Sequence, residues 1–126
     1  MPVKRVLHID DDEDDHEIFA TALSEVSTDI ELLFINNSRE ALQKLLLSSS
    51  QPDIIFLDLN MPEMSGQELL VELKKHQQLG HIPVIILSTS SHRPTMELTK
   101  QSGATGFYTK PDKYEELVEI LKKLLN

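Results

Sequence analysis

Five side chains in this sequence have the types and settings for chemistry: Asp10, Asp11, Asp58, Ser88 and Lys110. Asp10 and Asp11 follow the apolar run Val6-Leu7-His8-Ile9, and Asp58 follows Ile54-Ile55-Phe56-Leu57. Ser88 follows Val84-Ile85-Ile86-Leu87, and Lys110 closes Gly106-Phe107-Tyr108-Thr109. Three carboxylates in one crevice repel one another until a cation relieves the repulsion. An all-oxygen donor set without His or Cys suits Mg²⁺, with Mn²⁺ as the alternative; such an ion keeps several waters and typically binds a phosphate too. Lys110 is a point charge able to pair with a carboxylate or hold a phosphoryl oxygen. Ser88 offers its hydroxyl to a second oxygen. Together the five can bind a metal, stabilise an anion and supply a nucleophile, which is a phosphoryl-transfer site run on positioning and charge neutralisation.

That chemistry requires the five to meet, and the pattern of elements says that they do. Each apolar run is too short for a helix and rich in branched residues, so it reads as a buried strand. Ile30 to Ile35 supplies another strand. Between the strands, apolar residues recur at helical spacing: Ile18, Phe19, Ala22, Leu23 and Val26, then Ala41, Leu42, Leu45 and Leu46, then Leu69, Leu70 and Leu73. Asn36-Asn37-Ser38 caps the second helix, and Ser65 with Glu68 is a capping box for the third, which closes at Leu79-Gly80. A weak fourth helix has Pro94 in its first turn, Met96 and Leu98 inside, and Gly103 as its C-cap. Asp112 with Glu115 caps a last helix that carries Leu117 to Leu125.

Alternation of this kind implies an α/β fold: a doubly wound, five-stranded parallel (βα)5 sheet with helices on both faces and right-handed crossovers. The natural order is 2-1-3-4-5, flavodoxin-like, with its switch point between the first and third strands. Parallel strands deliver their C-terminal ends to one rim, so all five side chains arrive there. The remaining acids of the run, Asp12 to Asp15, read as a solvated helix start, each favoured by the helix dipole by roughly 0.3–1 kcal/mol.

Composition narrows the class. The chain has 126 residues and a formal charge of −9, which reads as a single domain over 1–126 with an adequate core. The acidic balance opposes nucleic-acid binding, which needs clustered Lys and Arg. Cysteine is absent, so there is no disulfide framework, and a cytoplasmic setting is expected. No signal peptide or membrane span is evident. His8, inside a strand, reads as a satisfied core histidine, and the other histidines show no metal spacing. No Gly-rich phosphate loop is present.

With these residues in hand, the sequence resembles the response-regulator receiver domains of two-component signalling over essentially its whole length. The residues that carry the resemblance are Asp10-Asp11 after Ile9, Asp58-Leu59-Asn60-Met61-Pro62 with Gly66 eight residues past Asp58, Ser88 five residues after Pro83, and Lys110-Pro111. The strand order given above is also that family's order and carries no independent weight. The likeness is nearest to stand-alone receivers of the chemotaxis type, without an output domain. It implies that Asp58 accepts a phosphoryl group from a sensor histidine kinase and that Asp11, Asp58 and the backbone carbonyl of Asn60 ligate Mg²⁺, with Asp10 acting mainly through water. It implies that Lys110, aimed by a cis bond to Pro111, and Ser88 hold phosphoryl oxygens. It further implies that Ser88 and Phe107 are the switch, remodelling the face of the fourth helix, fifth strand and fifth helix for a downstream protein target. Such a chain is a signalling phosphoacceptor rather than an enzyme, a monomer or weak dimer.

Departures from the family pattern leave every required group in place. Ser88 stands where threonine is frequent, Thr89 where alanine is common, Phe107 where tyrosine is frequent, and Asp112 where phenylalanine is common. Asn60, Thr89 and Ser90 are the positions expected to set the acyl-phosphate lifetime. Three other functions stay open at this point. The chain can relay its phosphoryl group to a histidine phosphotransfer protein. It can be a Mg²⁺-dependent phosphohydrolase, against which stands Asn60 where such enzymes carry a second acid. Or it can be a cofactor-free adaptor that no longer accepts phosphate.

Overall fold

The computed structural model describes residues 3–89 and 92–125. Five strands and five helices alternate: β1 (Arg5–Ile9), α1 (Glu13–Val26), β2 (Glu31–Ile35), α2 (Ser38–Leu47), β3 (Ile54–Leu57), α3 (Gly66–Lys75), β4 (Val84–Ser88), α4 (Arg93–Gln101), β5 (Gly106–Thr109) and α5 (Tyr114–Leu125). The strands form one parallel sheet in the order β2-β1-β3-β4-β5. The expected α/β fold is therefore the observed one. Its register sets Ile9 beside both Ile35 and Leu57, and Leu57 beside Ile86, so the strand ends are level at the rim.

Period-two alternation sends the strand residues to two cores. Leu7, Ile9, Ile55, Leu57 and Ile86 face Ala41 and Leu45 of α2 and Leu69, Leu70 and Leu73 of α3. Val6, Ile54, Phe56, Ile85 and Leu87 face Phe19, Ala22 and Leu23 of α1 and Leu117, Val118 and Leu121 of α5. Burial of both faces explains why β3 and β4 read as unbroken apolar runs. Among the described residues no helix is long and apolar enough to cross a membrane.

Two local expectations change. The third helix stops at Lys75, with His76 extended as its C-cap, rather than running to Leu79-Gly80. Leu79 and Gly80 instead bend back in a turn on the His76 carbonyl (3.0 and 2.8 Å), which drops Leu79 and Ile82 into the core ahead of β4. Asp112 is exposed and its side chain makes no hydrogen bond within the described residues; α5 opens on the Lys113 carbonyl instead. The helix α4 is as weakly anchored as its sequence suggests, burying Thr99 while Leu98 stays half exposed.

Candidate functional site

Each strand end is tied to its neighbour by backbone bonds that set the acids in place. The Asp10 N–H donates to the Ile35 carbonyl (3.3 Å) and the Asp58 N–H to the Ile9 carbonyl (3.0 Å). The Lys110 N–H donates to the Ser88 carbonyl (2.8 Å), joining the ends of β4 and β5. The loop after Asp58 is held just as closely. Both the Met61 and Gly66 N–H groups donate to the Leu59 carbonyl at 3.1 Å. A Cβ on Gly66 would overlap the Asp58 carbonyl oxygen and lie 2.7 Å from Leu59 Cα. Glycine is therefore required for α3 to start this near the acid. The capping box read from the sequence is present, with Ser65 Oγ accepting from the Glu68 N–H and Glu68 accepting from the Ser65 N–H, both at 3.2 Å.

Asp10, Asp11 and Asp58 converge, with one carboxylate oxygen from each lying within 4.8 Å of the other two. Asp10 and Asp58 are buried, while Asp11 opens to solvent. The donor set is all carboxylate and open on one side, which fits a hard divalent cation that retains water. Burial pushes the Asp58 carboxyl up to about 6, against the downward pull of the Lys110 ammonium; Asp10 and Asp11 add to the rise. Its Oδ1 accepts the Asn60 N–H at 3.3 Å.

Lys110 Nζ donates to Asp15 Oδ2 at 2.7 Å and to Asp10 Oδ2 at 3.0 Å, and stands 3.6 Å from Asp58 Oδ2. Burial opposes its charge, but the hydrogen bonds to Asp15 and Asp10 outweigh it and raise the ammonium above its ordinary value. No cis peptide bond occurs among the described residues, so the cis Lys110-Pro111 bond expected from the resemblance is corrected to trans. Trans is the isomer that X–Pro bonds favour by about 0.5–1 kcal/mol, and Lys110 reaches the rim with it.

Ser88 is fully buried at the end of β4. Asn60 is exposed, and its side-chain amide donates to Thr89 Oγ1 at 3.2 Å. Ser90, expected beside them, lies outside the described residues. Phe107 is half-buried on β5 and packs against the core shared with α2 and α3. It also lines a groove with Arg93, Met96, Lys100 and Ala104.

Two features escaped the sequence reading. Asp15 is not just a solvated helix start: it is the nearest partner of Lys110. The N-cap Asp12 sets it there, its Oδ1 accepting from the Asp14 and Asp15 N–H groups. The other feature is a histidine pair. Buried His8 stacks on Phe19 (centroids 4.1 Å apart), and its Nδ1 lies 2.9 Å from His16 Nδ1, a ring that stacks on Phe34. His8 Nε2 points at Asp10 Oδ2, 3.7 Å away. Burial, then the nearness of His16 and Lys110, push His8 down to about 3, and burial also lowers His16, so at neutral pH one uncharged ring donates to the other. His8 is thus a satisfied core histidine, as its strand position suggested.

A doubly wound sheet with an acid triad and a lysine at its C-terminal rim is an arrangement suited to holding a divalent cation and an anion, and sequence comparison gives its family. Residues 6–122 match the model of the response regulator receiver domain, and the chain belongs to that family. It is similar to the polar-differentiation response regulator DivK of Brucella anthropi, 30% identical over 99% of this chain and 98% of DivK. Among solved structures it is similar to the phosphorylated cyanobacterial phytochrome response regulator RcpA (TM-score 0.89, 28% identity, 97% of this chain and 91% of that one). It is also similar to the Mn²⁺-bound form of the response regulator Rcp1 (TM-score 0.86, 26% identity, 96% of this chain and 91% of that one).

Proposed function

We propose that this receiver accepts a phosphoryl group on Asp58 from a phosphohistidine of a sensor histidine kinase or a histidine phosphotransfer protein, and signals by binding a downstream protein. The observation that carries the reading is the meeting of Asp58 with Asp10, Asp11 and Lys110 at one rim, the amine 3.0 Å from Asp10 and 3.6 Å from Asp58. In the transfer, an Asp58 carboxylate oxygen attacks phosphorus while the phosphorus–nitrogen bond breaks. The imidazole leaves with that electron pair, and an acyl phosphate remains. Lys110 holds one phosphoryl oxygen by a charge-assisted hydrogen bond. Ser88 turns its hydroxyl to another.

Asp10, Asp11, Asp58 and the Asn60 carbonyl would hold Mg²⁺ (or Mn²⁺), which when bound supplies positive charge to the carboxylates and the phosphoryl oxygens. Phosphorylation is then a local charge event, read out at Ser88 and Phe107 on the groove beside α4 and β5. Phosphorylated RcpA and Mn²⁺-bound Rcp1 are relatives that support acceptor and metal alike. We place the chain in the cytoplasm, working as one domain over 1–126. A role as relay intermediate, handing the phosphoryl group onward, uses the same site. The phosphohydrolase reading weakens further, because the Asn60 side chain is a carboxamide bonded to Thr89, neither acid nor base near neutral pH.

Incubation with Mg²⁺ and acetyl phosphate, followed by intact mass spectrometry, tests the reading. One phosphoryl group is expected on the wild type and none on Asp58→Asn. An unmodified wild type with its fold intact by circular dichroism overturns it.

A further inference from the structure

The Lys110 ammonium is shared among three carboxylates, and its nearest partner is the one that lies outside the acid triad. Asp15 stands at 2.7 Å, Asp10 at 3.0 Å and Asp58 at 3.6 Å. The three differ in freedom to move. Asp10 is fully buried, and its Oδ1 is fixed by the Asp12 N–H at 3.0 Å. Asp15 has a side chain 37% exposed, on the open first turn of α1. Rotation of Asp15 into water gives up one part-buried hydrogen bond to Lys110 and returns to solvent a carboxylate that already meets it. Burial holds Asp10 where it is.

We propose that Asp15 is a resting-state counter-anion for Lys110, competing with the phosphoryl group on Asp58 for that ammonium and slowing acceptance of phosphate. The inference rests on Asp58 being the acceptor. Transfer from acetyl phosphate forms the Asp58 oxygen–phosphorus bond and breaks the bond to the acetate oxygen. Acetate leaves with the electron pair, and one negative charge of Asp58 is exchanged for the two of the bound phosphoryl. Lys110 must serve those oxygens, and while Asp15 holds the ammonium its charge is partly spent. Asp15 touches neither phosphorus nor the acid triad, so it acts as a positioning residue through Lys110.

The test compares wild type, Asp15→Asn and Asp15→Glu for the rate of phosphorylation by acetyl phosphate with Mg²⁺. It also measures the affinity of each for beryllium fluoride, a phosphoryl mimic that involves no turnover. Asp15→Asn is expected to raise both by about threefold to tenfold, the effect of removing one partly screened carboxylate from the ammonium. Asp15→Glu, keeping charge and reach, is expected to restore wild-type behaviour to within about twofold. In a Lys110→Gln background, Asp15→Asn should leave beryllium fluoride affinity unchanged. Equal rates and affinities for wild type and Asp15→Asn overturn the proposal while leaving the receiver reading intact. A gain that persists in the Lys110→Gln background overturns it too, because Asp15 would then act as a bare charge. Failure of the wild type to be phosphorylated or to bind the mimic overturns both readings.

Discussion

Replacing Asp58 by asparagine should stabilise the folded chain at neutral pH and lose that effect in acid. Asp58 is 5% exposed, and burial lifts its carboxyl from 3.8 to about 6. Between those values the folded chain holds a proton on Asp58 that the unfolded chain has released. Stability carried by this group therefore rises as pH falls from about 6 and is complete near 3.8; above 6 the buried charge is a standing cost. A shift of about two units at 1.36 kcal/mol each makes that cost about 3 kcal/mol at pH 7. Asparagine keeps the shape and can accept the Asn60 N–H, but carries no charge to desolvate. Urea unfolding in EDTA at pH 4, 5, 6 and 7 measures both proteins, and their difference cancels the titrating groups that do not face Asp58. Asp58→Asn should exceed wild type by about 3 kcal/mol at pH 7, and the gap should close to near zero by pH 4. A gap that does not change with pH, or a variant less stable at pH 7, refutes the reasoning.

His8 should pull in the opposite direction: neutral in the fold down to about 3 but protonated in the unfolded chain below 6.5, it removes stability as pH falls through 6.5. His8→Leu should therefore lose less stability than wild type between pH 6.5 and 5, by about 1.4 kcal/mol per pH unit, in the same urea series. Addition of Mg²⁺ at ten times its dissociation constant should raise the wild-type unfolding free energy at pH 7 by about 1.4 kcal/mol and do less at pH 5, where Asp58 must first lose its proton; an equal effect on Asp58→Asn would exclude that ligand. Gly66→Ala should cost about 3 kcal/mol in urea unfolding, the upper part of the overpacking range, because its methyl meets fixed backbone at Asp58 and Leu59. Ser65→Ala should cost about 1 kcal/mol through loss of the capping box alone.

The sheet and most of the site were legible because hydrophobic runs end where strands end. Ile9 to Asp10, Leu57 to Asp58 and Leu87 to Ser88 are each a change from buried apolar to polar at one residue, and a parallel sheet turns those changes into a shared rim. Asp15 was hidden for the opposite reason. Within six consecutive acids, composition does not say which one faces Lys110; the rotation of α1, fixed by the Asp12 cap, decides it. The His8–His16 pair was hidden by the same geometry, since it crosses from β1 to α1 while neither spacing nor periodicity marks it. The end of α3 was misread because Leu79 is core without being helical: its apolar side chain carries the same signal whether a helix or a turn delivers it.

The site is built at the expense of the fold that holds it. Four carboxylates, those of Asp10, Asp11, Asp15 and Asp58, gather at the end of the sheet where Lys110 brings one positive charge. Apolar packing on both faces of β1 and β3 opposes their repulsion, because buried Ile9 and Leu57, paired in register, carry the acids' backbone. The strain is thereby confined to protonation and to the sharing of one ammonium. Both are quantities that an added cation or phosphoryl group changes directly. A lysine satisfied by Asp10 alone would leave nothing to redistribute. Divided among Asp10, Asp15 and Asp58, it makes the resting state a compromise that the proposed phosphoryl group on Asp58 would resolve in its own favour.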